Sequence, residues 1–261
     1  MRTDDKTARS SRLADVKPPI IQGGMGVGVS GWSLARAVAV RGQLGVVSGT
    51  AIDVVVARRL QAGDPGGHVR RALAHFPVPA IAAWILDAYF VEGGIAPDAL
   101  YRPVPRHTLA STTRLVELTV AAAFTEVFLA KEGHDGLVGI NVLRKIELPM
   151  PATLYGAILA GVDVVLCGAG SPAEIPALVR GLARHADVEI DVRVMGARSS
   201  DGFGRMPFSP GAVVPDPGAE CPVPAVIAVV ASTDLATGLA TSRETRPDGF
   251  MRGIEDMARS L

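Results

Sequence analysis

The fold is decided by the stretch Pro-Ile-Ile-Gln-Gly-Gly-Met-Gly-Val-Gly-Val-Ser at residues 19–30. Residues 19–22 form a short apolar run that predicts a β-strand, and a glycine-rich loop follows directly. Glycines at the C-terminal end of a strand let backbone N–H groups approach a planar or anionic ligand closely. The stretch therefore predicts a first strand that leads into a ligand-binding loop.

The composition is that of a globular protein. Apolar residues make up 48% and charged residues 20% of the 261 residues, and a single α/β barrel commonly has about 250 residues. The 26 basic and 26 acidic side chains cancel, which argues against nucleic acid or an anionic membrane surface as a partner. No apolar stretch is long enough to cross a bilayer, so no membrane span is expected.

The N-terminus and the cysteines favour a cytoplasmic location. Residues 1–17 mix basic and acidic side chains without an apolar core, which predicts a flexible tail rather than a signal peptide. Cys167 and Cys221 match no metal-ligand or redox spacing, so no metal site is expected. Cys167 ends an apolar run and is expected to be a buried thiol. Few thiols and no export signal indicate a reducing compartment.

Short apolar runs alternate with helical patterns along the chain, which is typical of parallel strands joined by crossover helices. Strands are predicted at 19–22, 44–47, 137–142, 162–166, 188–194 and 225–230, and helices at 33–40, 52–61, 153–160, 172–185 and 234–240. Ser171 is expected to cap the helix at 172–185. Residues 198–224 are rich in glycine and proline and are expected to form a loop.

The alternation breaks at residues 66–134. This segment contains helical patterns at 69–76, 81–90 and 112–131 but no convincing strand. It is too long for an ordinary connection between a strand and a helix. We therefore expect a helical insertion after the second βα unit, placed over the top of the barrel, where lids and substrate contacts usually sit.

The glycine-rich loop has two alternative interpretations. Gly26, Gly28 and Gly31 fit the spacing of a dinucleotide-binding loop. However, the second predicted strand leads into small residues at Ser48 rather than an acid that would hold a ribose, and Asp53 comes later, where a helix begins. The other alternative is a purely structural turn.

Several segments, taken in order, resemble nitronate monooxygenases, formerly called 2-nitropropane dioxygenases, which are FMN-dependent TIM-barrel oxidoreductases. The opening of that family, which related FMN-dependent enoyl-thioester reductases share, is similar to residues 19–30, Leu34-Ala35 and Gly42-Gln43-Leu44-Gly45. The strand with an FMN-contacting asparagine, the next βα unit and the strand and helix before the catalytic region are similar to residues 139–143, 157–170 and 226–236. The resemblance covers about residues 18–250, interrupted by the insertion.

The resemblance implies an FMN at the C-terminal mouth of a (β/α)8 TIM barrel. The cofactor-binding residues that it implies are Gln22, Gly23, Gly24, Met25, Asn141, Gly168, Gly170 and Ser232. Backbone groups of residues 22–25 would flank the flavin, and the Asn141 amide would hydrogen-bond to it. For some of these residues a structural role is an alternative: a strand end for Asn141, a turn before a helix for Gly168 and Gly170, and a helix cap for Ser232.

The chain also departs from the family. Members carry a Gly-Gly-His loop one strand after residues 226–236, and then two strands whose loops bind the FMN phosphate; here the pattern stops at Phe250 and residues 251–261 resemble none of it. The Gly-Gly-His at His68 is in the wrong position to be that base. We therefore expect an incomplete barrel, truncated relative to the family. Its unpaired strand edges would allow assembly into a homo-oligomer.

The sequence does not identify a catalytic base. The histidines other than His68 lie in helices or loops with no carboxylate paired at an informative spacing, which predicts surface or packing roles for His75, His107, His134 and His185. The resemblance implies FMN-dependent oxidation of alkyl nitronates with molecular oxygen. The alternatives are an enoyl reductase that uses FMN and NAD(P)H on acyl thioesters, and a catalytically silent barrel remnant.

Overall fold

The computed structural model describes residues 18–196, 201, 204–242 and 244–252. The expected tail at residues 1–17, parts of the expected loop at 198–224 and residues 253–261 lie outside this description. No helix within the described ranges is long and apolar enough to cross a membrane.

The centre of the fold is a parallel sheet of five strands in the order β1-β2-β3-β6-β7. These strands are β1 (Gly45–Ser48), β2 (Val138–Leu143), β3 (Val164–Gly168), β6 (Ala225–Val230) and β7 (Gly249–Arg252). The first predicted strand is reduced to one parallel bridge between Ile21 and Leu44 at the β1 edge. The predicted α/β class is confirmed, but a complete barrel is not formed by the described residues, because β1 and β7 do not pair.

Eight α-helices accompany the sheet in the described ranges. They are α1 (Trp32–Ala39), α2 (Ile52–Gln61), α3 (His68–Leu73), α4 (Pro79–Tyr89), α5 (Thr113–Lys131), α6 (Met150–Leu159), α7 (Ile175–Ala183) and α8 (Thr233–Thr241). Two short 3₁₀ turns lie at Pro65–Gly67 and Pro210–Ala212. Helix α1 precedes β1, and α5, α6 and α8 connect successive strands of the parallel sheet, as crossover helices do.

The two faces of the sheet have different surroundings. On one face, Val47, Ile140 and Val165 join the buried residues of the helices in the main core. On the other face, Val46 and Leu166 form a smaller apolar cluster made of residues from the strands and their ends. Side chains alternate between the faces along each strand. The helices therefore cover one side of the sheet, as they do on a barrel wall.

Helices α5 and α6 pack so closely that their backbones touch. A Cβ atom at Gly156 of α6 would overlap with the carbonyl oxygen of Val120 in α5. Only glycine has no side chain to fill this space. Residues 118–127 of α5 are all buried, as expected for a helix that is surrounded by protein.

The segment at residues 66–134 contributes to two different regions of the fold. Its longest helix, α5, packs against α1 and α6 and against the sheet, as the crossover helix between β1 and β2. The polypeptide just before it, residues 104–107, instead reaches the C-terminal ends of the strands, where it lines a cavity. Only this short part lies where a lid or a substrate contact was expected.

Two local predictions are wrong because strand pairing is decided at long range. Strand β4 (Val188–Asp191) pairs antiparallel with β5 (Arg205–Phe208), which lies inside the expected loop. Strand β7 forms at a position where the sequence predicts none. It is aligned by Asp248, whose backbone N–H donates to the Val226 carbonyl at 2.8 Å and whose carboxylate accepts from the Val226 N–H at 2.8 Å.

The start of α7 also differs from the prediction. Ser171 does not cap this helix; the residue before its first turn is Glu174, whose side chain makes no capping hydrogen bond. The carbonyl of Pro172 instead accepts from the N–H of Ile175 at 3.0 Å. Residues 172–174, which were expected to begin the helix, therefore form a turn before it.

Candidate functional site

Residues 22–25 and Asn141 come together at the edge of the sheet, and we call them the glycine cradle. The backbone N–H of Gln22 donates to the Leu44 carbonyl at 3.0 Å. Its side chain accepts from the Val46 N–H at 2.9 Å and donates to the Gly23 carbonyl at 2.6 Å. The Gln22 amide therefore holds the loop against β1. The groups that remain for contact with a ligand are those of the backbone at residues 23–25.

Gly24 is the point of closest approach between the loop and the sheet. A Cβ atom at this position would overlap with Cγ1 of Val46 and would lie 2.9 Å from Cβ of Asn141. Any other residue would push the loop away from the sheet. This contact is the physical reason for glycine at the centre of the cradle.

The backbone N–H groups of Gly23, Gly24 and Met25 form no hydrogen bond within the described part of the chain. The Gly23 carbonyl, in contrast, accepts from the Ser30 hydroxyl at 2.9 Å as well as from Gln22. Gly23 and Met25 are exposed, so this part of the loop is open to solvent or to a ligand. The cradle therefore presents three consecutive donors with no acceptor.

Asn141 is 5% exposed and lies on the same face of the sheet as Val46. Its side-chain N–H donates to the Met25 sulfur at 2.8 Å, and its backbone carbonyl accepts from the Gly49 N–H at 2.9 Å. A thioether is a weak acceptor. A ligand oxygen or nitrogen at this position would be a better partner for the Asn141 amide than Met25 is.

The loop also exposes an apolar surface beside its donors. Met25 is 53% and Val29 is 74% exposed, and Ile20 and Val27 are exposed as well. Exposed apolar residues that lie together are unusual on a monomeric surface and mark sites of binding. The cradle thus combines unpaired donors with an apolar rim.

The other residues implied by the resemblance form no hydrogen bond to the cradle in the described ranges. Gly168 ends β3, and a Cβ atom there would lie 2.9 Å from Cβ of Val229. Gly170 has a φ of +138° and lies against the side chain of Arg144. Ser232 caps α8, because its hydroxyl accepts from the Leu235 N–H at 3.2 Å. This contact agrees with the alternative interpretation of Ser232 as a helix cap.

A second feature lies at the C-terminal ends of β1 and β2. It is a cavity of about 540 Å³, lined by residues 49–54, 104–107, 119, 145–149, 153 and 192–193. The carboxyl ends of parallel strands are where α/β proteins usually bind ligands. We call this cavity the dyad pocket, after the hydrogen-bonded side chains of His107 and Asp53 in its lining.

His107 and Asp53 form a hydrogen-bonded pair in the dyad pocket. Nε2 of His107 lies 2.9 Å from Oδ2 of Asp53 and 3.4 Å from the hydroxyl of Thr119. A carboxylate only accepts, so Nε2 carries the proton that His107 donates to Asp53. The other nitrogen, Nδ1, has no partner among the described residues.

The sequence predicts a surface or packing role for His107, because no carboxylate lies at an informative spacing, and so does not predict this pair. Asp53 is buried in the first turn of α2, and His107 lies on the proline-rich loop before α5. Their separation of 54 residues matches no local spacing. Only the burial of an acidic residue in an otherwise apolar helical pattern could have drawn attention to Asp53.

The remaining histidines make ring contacts and hydrogen bonds outside the two candidate sites. The ring of His68 lies 4.8 Å from that of Trp32, and His75 stacks on Phe128 at 4.7 Å. His134 donates through Nε2 to a backbone carbonyl at 2.7 Å. His185 bonds to the hydroxyl of Tyr155, a phenol whose pKa burial raises to about 12. None of these residues lines the dyad pocket.

The most deeply buried carboxylate, Glu126, has a structural role. It accepts from the Trp32 N–H at 2.9 Å, at the start of α1, and from the side chain of Arg59. Burial raises the pKa of Glu126, while Arg59 and the Trp32 N–H act in the opposite direction. The predicted buried thiol is confirmed at Cys167, where burial raises the pKa to about 12.

Comparison with known proteins adds no assignment. No protein-family model matches the chain, and no curated protein matches it. Within the described ranges, no group of three or more histidine, cysteine, aspartate or glutamate residues could hold a metal ion. The cradle and the dyad pocket are therefore interpreted from their own geometry.

Proposed function

We propose that the chain binds FMN in the glycine cradle and is a flavin-dependent oxidoreductase that acts on alkyl nitronates, with molecular oxygen as the oxidant. The observation that carries this proposal is the set of three unpaired N–H groups at Gly23, Gly24 and Met25, beside the Asn141 amide. The sequence resemblance to nitronate monooxygenases points to the same residues.

The cradle fits the chemistry of a flavin. One edge of the flavin ring carries carbonyl oxygens and ring nitrogens that accept hydrogen bonds, and the opposite edge is apolar. Unpaired backbone donors match the first edge, and the exposed side chains of Met25 and Val27 match the second. When bound, the flavin would supply the redox chemistry, while the chain binds and orients it and keeps competing reactions away.

Enoyl-thioester reduction with NAD(P)H is the second candidate function, and the dyad pocket favours it. The pocket is linked to the cradle through the backbone N–H of Gly49, which lines the pocket and donates to the backbone carbonyl of Asn141. Its volume of about 540 Å³ is far more than a small nitronate needs. An acyl chain would use this space better.

The first test is flavin binding by the purified full chain. We expect the visible absorbance of bound flavin, or saturable quenching of FMN fluorescence when FMN is added. The Gly24→Ala variant should bind FMN at least about tenfold more weakly, because the new methyl group displaces the loop. Gly238→Ala is the matched control, since a Cβ atom there meets no heavy atom within 4 Å.

A folded chain that stays colourless with added FMN would contradict both enzymatic candidates and leave the catalytically silent alternative. Circular dichroism of the same sample shows whether the chain is folded. For a flavin-loaded sample, oxygen consumption that depends on a nitronate supports the first candidate. Oxidation of NAD(P)H that depends on an enoyl thioester supports the second candidate instead.

A further inference from the structure

The dyad pocket shares no residue with the glycine cradle, and it has the features of a binding site of its own. We propose that it binds a small organic anion that carries an apolar chain, such as a medium-chain carboxylate or an alkyl phosphate. This inference goes beyond the proposed function, because the residues that carry it do not depend on a flavin.

The charge of the pocket favours an anion. Three cationic side chains line it, those of Arg106, Lys145 and Arg193, and none of them forms an ion pair or hydrogen bond with a described residue. The two acidic residues of the lining, in contrast, are already engaged. Asp53 bonds to His107, and Glu147 bonds to Arg144 and to the backbone N–H of Arg193. Because Arg106, Lys145 and Arg193 are exposed, the unpaired charge at the open side of the pocket is positive.

A buried hydroxyl without a partner is an independent sign of a ligand. Thr153 lines the pocket and is 2% exposed, yet its Oγ1 has no hydrogen-bond partner among the described residues. The Pro149 carbonyl, one turn earlier, accepts from the Thr153 backbone N–H at 2.9 Å. Buried side-chain hydroxyls nearly always have a partner. The surrounding protein encloses this hydroxyl, so the lining would shift slightly for an oxygen of the ligand head group to become its partner.

The histidine of the dyad offers one further polar atom to a ligand. Its Nε2 proton is held by Asp53, which leaves Nδ1 of His107 as the nitrogen without a partner. Nδ1 is then an acceptor, so a ligand hydroxyl or a water molecule beside the head group can donate to it.

Most of the remaining lining is apolar, and for this reason we infer an apolar chain behind the head group of the ligand. Side chains of Ile52, Val104, Ile146, Leu148 and Val192 contribute to it. A ligand pocket with predominantly apolar walls and a few convergent polar groups is the usual form of a small-molecule site. The volume of about 540 Å³ accommodates a chain of several carbon atoms.

Calorimetric titration of the full chain, with and without FMN, tests this proposal. The probes are octanoate and hexyl phosphate, with inorganic phosphate as a head group alone and octanol as a chain alone. We expect saturable binding of octanoate or hexyl phosphate, and at least about tenfold weaker binding of the two partial probes. Comparing octanoate with hexyl phosphate shows which head group the site prefers.

Variants show whether the binding takes place in the dyad pocket. Lys145→Gln/Arg193→Gln should weaken binding about tenfold and reduce its dependence on salt. Thr153→Val, which keeps the shape of the side chain and removes the hydroxyl, should weaken binding about fivefold. Arg184→Gln, at an exposed arginine outside the pocket, should leave the affinity unchanged.

Three results would overturn the proposal. One is the absence of saturable binding of either probe to a folded chain. Another is an affinity that neither Lys145→Gln/Arg193→Gln nor Thr153→Val changes. The third is binding that Gly24→Ala abolishes, because the ligand would then occupy the cradle. Failure of FMN binding alone would contradict the proposed function and leave this proposal standing.

Discussion

Nε2 of His107 donates to Oδ2 of Asp53 across 2.9 Å, and Oδ1 of the same carboxylate accepts from the Val54 N–H at 2.8 Å. The carboxylate thus binds the first turn of α2 and the loop before α5 at the same time. A negative charge in the first turn of a helix is also favourable for the helix dipole. This single side chain fixes the position of the loop that lines the dyad pocket.

Replacing Asp53 should therefore destabilise the protein. We expect Asp53→Ala to lower the free energy of unfolding by about 2–3 kcal/mol, because two hydrogen bonds to a buried charge are lost. Asp53→Asn should cost less, since an amide oxygen can still accept one of them. Urea denaturation measures both, with Asp98→Ala at an exposed position as the control. Equal stability of Asp53→Ala and Asp98→Ala would contradict the structural role of the dyad.

The close contact of α5 and α6 predicts a large effect at Gly156. Gly156→Ala should lower the free energy of unfolding by about 3 kcal/mol, because the methyl group would overlap with the Val120 carbonyl oxygen. Gly238→Ala makes the same change on α8 in open space and should raise stability by about 1 kcal/mol. Thermal or urea unfolding of the two variants gives the comparison. Similar stability of both would mean that the helices are further apart.

The buried Glu126 predicts a particular dependence of stability on pH. Burial raises the pKa of Glu126 in the folded protein above the ordinary value of 4.5, so the folded state binds this proton more tightly than the unfolded state. Its contribution is therefore fully present below pH 4.5 and is lost as the pH rises through the folded pKa.

Glu126→Gln removes this titration. The free energy of unfolding of the variant, measured relative to the wild type in urea, should accordingly rise as the pH rises above 4.5. A series of denaturation curves across this pH range measures the difference. A difference that stays constant, or that falls with increasing pH, would show that the Arg59 pairing outweighs the effect of burial.

The two cysteines should differ in reactivity. Burial raises the pKa of Cys167 to about 12, so at pH 8 only about one thiol in ten thousand is ionised, and the thiolate is the reactive form. Burial also raises the pKa of Cys221, which is only half buried. A thiol reagent should therefore label Cys221 slowly in the native protein and Cys167 only after unfolding, as mass spectrometry can show. Rapid native labelling of Cys221→Ser would contradict the burial of Cys167.

If FMN binds in the cradle, removing the side chains of Asn141 and Ser232 should have different effects on FMN affinity and stability. Asn141→Ala should weaken FMN binding about tenfold, because the amide next to the unpaired donors is lost. Ser232→Ala should lower the free energy of unfolding by about 1 kcal/mol through loss of the α8 cap, with no change in FMN affinity. Fluorescence titration and urea unfolding of both variants separate the two roles. A loss of FMN affinity in Ser232→Ala would place this residue at the cofactor.

Local patterns in the sequence determined the elements that depend only on neighbouring residues. The helix at 52–61 and the strand at 225–230 form with the bounds that the sequence predicts, because hydrophobic period and flanking glycines act within a few residues. The glycine-rich loop is also recognisable from its local sequence, but its position against the sheet depends on the contact of Gly24 with Val46 and Asn141. The prediction that Asn141 lies beside this loop came from the resemblance to nitronate monooxygenases and not from the spacing of residues.

Tertiary structure alone decided the rest. The pairing of β4 with β5, the alignment of β7 by Asp248 and the closure of Asp53 on His107 join residues that are 14 to 54 positions apart. Such contacts depend on how the chain returns to itself, and no local period encodes them. For this reason the cradle could be found in the sequence, whereas the dyad pocket became visible only in the folded protein.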